Sequence, residues 1–201
     1  MKKRTAIIKR KTRETDITAK LNIDGSGKSK IKTGIGFLDH MLELFAFWGF
    51  FDIEINTGKC DLKVDIHHTN EDIGIVLGQA FKKALGDKKG IKRIGFALAP
   101  MEEVTSNVVL DINGRGFFDI KTSGANRFNK SEGYEFEYAK HLFDGLAKQL
   151  GMNLNVRIDA ASSDLHATLE PAFKALGLAL DQATQIDPRR KGVPSTKGVI
   201  D

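Results

Sequence analysis

The sequence predicts an α+β fold made by internal duplication: two similar halves, each a roughly four-stranded sheet with two helices on one face. Three observations carry this. The run Leu21-Asn22-Ile23-Asp24-Gly25-Ser26-Gly27 returns as Leu110-Asp111-Ile112-Asn113-Gly114-Arg115-Gly116, a register advance of 89 residues that also pairs Glu14 with Glu103. Ile31-Lys32-Thr33-Gly34 has an echo in Ile120-Lys121-Thr122-Ser123-Gly124. Within each copy, stretches of period-two alternation give way to apolar residues at helical spacing. The repeat divides the chain into a first half at residues 1–89, a second at 90–190 and a tail at 191–201.

The elements follow in order. Thr15 to Ile23 alternates as a strand and ends in the turn dipeptide Asp24-Gly25. Phe37, Leu38, Met41, Leu42, Phe45 and Trp48 fall on one helical stripe that stops at Gly49. Phe51 to Asn56 alternates again, and a second helix is expected from about Thr69 to Leu85, ended by Gly86. In the second half strands are expected near 91–99, 104–112, 116–122 and 154–158. Its helices are expected at 136–150, ended by Gly151, and near 168–184. The polar, glycine-containing stretch Lys121 to Tyr134 reads as a mobile loop.

Composition narrows the function classes. With 41% hydrophobic residues, 28% charged residues and four prolines in 201 residues, the chain supports a core and excludes long disorder or a fibre. No apolar run approaches membrane-spanning length, and the apolar stretch after Met1-Lys2-Lys3-Arg4 is too short for a secretory signal. The single Cys60 rules out an internal disulfide, which points to a reducing, cytoplasmic setting. A net charge of +5 suits an anionic partner. That partner is nucleic acid or a phosphorylated small molecule, and aromatics interleave with basic residues only at Phe117-Phe118 and Phe128, thin support for nucleic acid.

The five histidines are the most informative residues. His67-His68-Thr69-Asn70-Glu71 and His166-Ala167-Thr168-Leu169-Glu170 each set a histidine and a glutamate four residues apart on one helix face. The repeat carries His40, His67 and Glu71 onto His141, His166 and Glu170. A lone helical histidine is usually structural, but four of the five histidines in one repeated pattern indicate metal ligation. Imidazole plus carboxylate suits Mn²⁺, Zn²⁺ or Fe²⁺, in a dimetal site or a pair of related sites. Glu14 and its repeat mate Glu103 are candidate acid/base groups, while Arg93, Arg115 and Ser195-Thr196-Lys197-Gly198 offer phosphate-binding chemistry.

These residues resemble the imidazoleglycerol-phosphate dehydratase family. The resemblance rests first on Thr33-Gly34-Ile35-Gly36-Phe37-Leu38-Asp39-His40-Met41-Leu42 and His67-His68-Thr69-Asn70-Glu71-Asp72. Thr12-Arg13-Glu14-Thr15, Gly90-Ile91-Lys92-Arg93, Pro100-Met101-Glu102-Glu103, Asp111 to Arg115, Glu170 to Lys174 and Ser195 to Gly198 follow in order. The resemblance implies two four-stranded sheets with their helices packed together, and trimers assembled into a 24-subunit shell with active sites at subunit contacts. It implies removal of water from D-erythro-imidazole glycerol phosphate to give imidazole acetol phosphate, in histidine biosynthesis, with two Mn²⁺ per subunit. Metal ligands carried over are His40, His67, His68, Glu71, His141, His166 and Glu170. Glu14 is carried over as the base, with Glu102 and Glu103 supporting it. Phosphate would be held by Arg93, Arg115, Lys174, Ser195 and Lys197.

The chain departs from the family pattern at four places. Ala167 stands where a second histidine is usual, which leaves water or a neighbour such as Asp164 to fill that position. Pro171 follows Glu170 inside the last helix, which predicts a kink or a later start there. Glu102 replaces the commoner aspartate and Leu44 a common glutamine. Two further readings stand beside the dehydratase: a diverged relative acting on another phosphorylated substrate, and a non-catalytic binding or assembly protein.

Overall fold

The structure, a computed structural model, describes residues 3–125 and 127–200. Met1 and Lys2 of the basic N-terminal run, Asn126 of the expected loop and Asp201 of the tail lie outside the described residues. The first half runs β1 (Thr5–Lys11), β2 (Asp16–Asn22), β3 (Ser29–Lys32), α1 (Gly36–Trp48), β4 (Asp52–Lys59) and α2 (Ile66–Leu85). The second repeats that order as β5 (Ile94–Met101), β6 (Val104–Asp111), β7 (Phe117–Gly124), α3 (Phe136–Leu150), β8 (Asn153–Ala161) and α4 (Leu165–Thr184). The sheets are ordered β1-β2-β4-β3 and β5-β6-β8-β7. In each, one pair is parallel, β3 with β4 and β7 with β8, and is joined by a helical crossover, α1 or α3. The fold is the duplicated α+β arrangement that the repeat predicts.

β1 and β3 are the strands the alternation did not reveal. Both are edge strands, and each buries a single residue, Ala6 or Ile31, so lysine-rich outer positions hide the periodicity. Two helices begin three residues before their expected starts. Asp65 caps α2 by accepting from the His67 N–H at 3.2 Å, and Asp164 caps α4 by accepting from the His166 N–H at 2.8 Å. Pro171 therefore lies inside α4, which starts before the proline and not after it.

α1 and α2 lie on the first sheet and α3 and α4 on the second, and the two helical layers face each other. α1 packs on α4 and α2 on α3, so the core is shared between the halves. At the first crossing a Cβ on Gly177 would come within 2.6 Å of the Phe45 carbonyl oxygen, so only glycine permits this approach. Lys121 to Gly124 belong to β7, and Ala125, Phe128, Asn129 and Tyr134 of the expected mobile loop are tied down. Ala125 N donates to Ala161 O and Asn129 N to Ser163 O, while Phe128 stacks on Phe136 and Tyr134 is fully buried. Among the described residues no helix is long and apolar enough to cross a membrane.

The turn between β5 and β6 stores strain. Met101 pairs with Val104, which leaves Glu102 at φ 51°, where a side chain crowds the backbone. Glu102→Gly is expected to stabilise the fold by about 0.5–1 kcal/mol, the αL penalty less glycine's greater unfolded-state freedom. Thermal unfolding checks this; a lower melting temperature would refute it.

Candidate active site

α1 and α4 bring the first ligand set together. His166 Nε2 lies 2.8 Å from Glu170 Oε2, and His40 Nε2 lies 3.6 Å from the same oxygen. The His40 and His166 rings stack with centroids 5.2 Å apart, and the Phe37 edge packs on His166 at 5.9 Å. The ligand atoms of His40, His166 and Glu170 all lie within 4.8 Å of one another. Burial pushes the Glu170 carboxyl up, but hydrogen bonds from Lys174 and His166 outweigh it and hold the pKa below the ordinary value. Two imidazoles and one ionised carboxylate form a donor set that fits a divalent transition metal.

α2 and α3 bring the second set together more loosely. His67 Nε2 is 3.9 Å from Glu71 Oε2, and the His67 and His141 rings meet edge to face at 4.5 Å. Each set thus crosses between halves: His40 joins the repeat mates of its own helical neighbours, and His141 joins His67 and Glu71. The exchange follows from the packing of α1 on α4 and α2 on α3.

His68 belongs to neither set. One position after His67, it turns to another face of α2, where its Nδ1 lies 2.9 Å from Asp61 Oδ2 and 3.9 Å from Glu14 Oε2. The Asp61 hydrogen bond raises the His68 pKa against its partial desolvation, with the Glu14 charge adding to the rise. His68, Asp61 and Glu14 form a second compact trio of potential ligand atoms. Nothing in the sequence signals Asp61. Its backbone N–H is held by Thr69 Oγ1 at 3.0 Å, a contact repeated by Ser162 N and Thr168 Oγ1 at 3.0 Å.

That latch aligns the halves and shows what the second one lacks. Ser162 stands for Asp61, Ala167 for His68 and Glu103 for Glu14. Glu102 and Glu103 occupy an exposed turn with no histidine in the position facing it. Asp164, expected as a substitute ligand, spends its Oδ1 on the α4 cap.

Arg93, Arg115, Ser195 and Lys197 converge, with Asn113, Thr196 and Val199, on a pocket of about 160 Å³. Arg93, held at φ 74°, forks onto Asp111 at 2.6 and 2.9 Å and donates to Pro194 O at 2.9 Å, so it braces the tail over the pocket. Lys174 is not among these residues: its ammonium pairs with Glu170 four residues earlier on α4.

Comparison with known proteins gives the family. Residues 33–180 match the family model described as imidazoleglycerol-phosphate dehydratase. A protein of that name from Thermoanaerobacter sp. (strain X514) is 48% identical over 98% of this chain and 100% of its own length. The one from Maridesulfovibrio salexigens is 47% identical over the full length of both. The crystal structure of the Pyrococcus furiosus enzyme in complex with (S)-C348 superposes with a TM-score of 0.80 at 35% identity, covering 96% of this chain and 99% of that one. The Staphylococcus aureus enzyme superposes with a TM-score of 0.76 at 30% identity, covering 91% and 99%. The chain belongs to the imidazoleglycerol-phosphate dehydratase family of hydro-lyases.

Proposed function

We propose that this protein removes water from D-erythro-imidazole glycerol phosphate to give imidazole acetol phosphate, with two Mn²⁺ ions per subunit, as a step of histidine biosynthesis. The observation that carries the reading is the convergence of His40, His166 and Glu170 from opposite halves of the chain. These three would hold one ion, and His67, Glu71 and His141 the other. When bound, such ions supply Lewis acidity that polarises the substrate's imidazole ring and eases departure of the neighbouring hydroxyl.

The chain's own residues do the rest. Lys174 keeps Glu170 ionised, ready to ligate. Arg115, Ser195 and Lys197 bind the phosphate, with Arg93 holding the tail in place. Glu14 takes the carbon-bound proton and returns it to the hydroxide released as the carbon–oxygen bond breaks, which leaves as water, and the enol that remains tautomerises to the ketone. The Glu102/Glu103 pair, in repeat register with Glu14, supports that role from the second half.

Glu14 and His68 lie outside both ligand sets, with the His68 ring edge to face with His67 at 5.6 Å and Glu14 exposed. A neighbouring subunit then completes the site, in keeping with the trimers and 24-subunit shell expected from the family. The exposed apolar face of Ile94, Phe96, Leu98 and Val109 on β5 and β6 supports such self-association. A cytoplasmic location fits the single cysteine.

The test is a Mn²⁺ titration of dehydratase activity on imidazole glycerol phosphate, with bound metal counted in the same samples. Turnover rising with two ions per subunit is expected. Metal bound with no turnover of this substrate overturns the reading.

A further inference from the structure

The turn that carries Glu14 is tied to α2 by a relay of hydroxyls. Thr12 Oγ1 accepts from the backbone N–H of Glu14 at 3.0 Å and of Thr15 at 2.9 Å. It also lies 3.2 Å from Thr15 Oγ1, and that buried hydroxyl donates to Asp72 Oδ2 at 2.5 Å. The other Asp72 oxygen accepts from Arg10 Nε at 2.8 Å, on the strand that leads into the turn. Asp72 follows His68 by one helical turn and so shares its face of α2. The relay therefore starts on the helix face that presents His68 and ends at the backbone of Glu14, whose carboxylate lies 3.9 Å from His68.

The duplication supplies an internal control. In repeat register, Met101 stands for Thr12, Val104 for Thr15, Pro171 for Asp72 and Ala99 for Arg10. Val104 is fully buried, and among the described residues the β5–β6 turn closes with none of the relay's side-chain hydrogen bonds. Closing this turn thus needs no buried carboxylate, and a half-buried ion pair such as Arg10–Asp72 is weak as a source of stability. The polar relay is present in the half whose turn glutamate faces a histidine and absent in the half where the facing position is Ala167.

We infer that Thr12, Thr15 and Asp72 are positioning residues that hold the Glu14 carboxylate in register beside His68. The inference rests on the reading of Glu14 as the base. A base displaced by about an ångström loses on the order of 10²-fold in rate while substrate binding is spared.

Thr12→Val removes the central hydroxyl and keeps the side-chain shape. In the metal-loaded enzyme it is expected to lower kcat about 10- to 100-fold with KM within about twofold, and to speed amide exchange at Glu14 and Thr15. Thr12→Ser, which restores the hydroxyl, is expected to recover both. Glu14→Gln is expected to lower kcat about 10²- to 10⁴-fold, and adding Thr12→Val to it should cost nothing further. An inactive Glu14→Gln beside a fully active Thr12→Val, or losses that add in the double variant, overturns the inference alone. A fully active Glu14→Gln overturns the base reading, and the inference with it.

Discussion

Glu170→Gln should remove a metal ion and the activity together. The carboxylate is the hub of its set, because one oxygen meets both His166 at 2.8 Å and His40 at 3.6 Å while the other meets Lys174. An amide keeps the shape but loses the charge, and it leaves the largely buried Lys174 ammonium unpaired beside two imidazoles. A cation is then repelled from a position built to hold one. Loss of a residue that merely orients a ligand typically costs 10–100-fold in metal affinity, so losing the ligand itself should cost about 10³-fold or more in affinity and in kcat/KM. Bound metal should fall by about one ion per chain, counted by elemental analysis. Glu71→Gln, in the looser set, should cost less affinity, because its carboxylate is less tightly preorganised at 3.9 Å from His67. Unchanged metal content in Glu170→Gln would rule out this ligand set.

Much of the fold could be read in advance because its periodicities are long. α3 begins and ends where the apolar spacing and Gly151 predict. α2 and α4 start earlier because Asp65 and Asp164 are caps, and an aspartate two residues before a histidine carries no periodicity to notice. β1 and β3 escaped because an edge strand with one buried residue resembles surface charge.

The site was legible in composition but not in grouping. The repeat left open which ligands share an ion, and helix packing between the halves joins His40 to His166 and Glu170. Asp61 and Asp72 could not have been picked out, since their roles depend on contacts with His68 and Thr15 that only the folded chain makes. The pairing of Lys174 with Glu170 has an unused sequence signal, a spacing of four on one helix.

Gly74→Ala is expected to damage stability and one metal site at once. A Cβ at this position would lie 2.4 Å from the Leu142 carbonyl oxygen and 3.1 Å from two more backbone atoms of α3. Backbone cannot step aside as a side chain can, so α2 and α3 must separate. Gly78, one turn on, meets Leu146 O at 2.7 Å in the same way, so the whole seam depends on small residues. Alanine gains about 1 kcal/mol in helix propensity, and against this stands the packing that the two helices give up as they part. Overpacking by a methyl against backbone is expected to leave a net loss of about 2–3 kcal/mol, or roughly 5–10 °C in melting temperature for a chain of this length. The second readout follows from which helices carry which ligands. His67 and Glu71 ride on α2 and His141 on α3, whereas His40 and His166 ride on α1 and α4. Parting α2 from α3 should therefore weaken one of two metal-binding events and spare the other, which a calorimetric Mn²⁺ titration resolves. Equal weakening of both would mean that the sets are not divided between the two helix pairs.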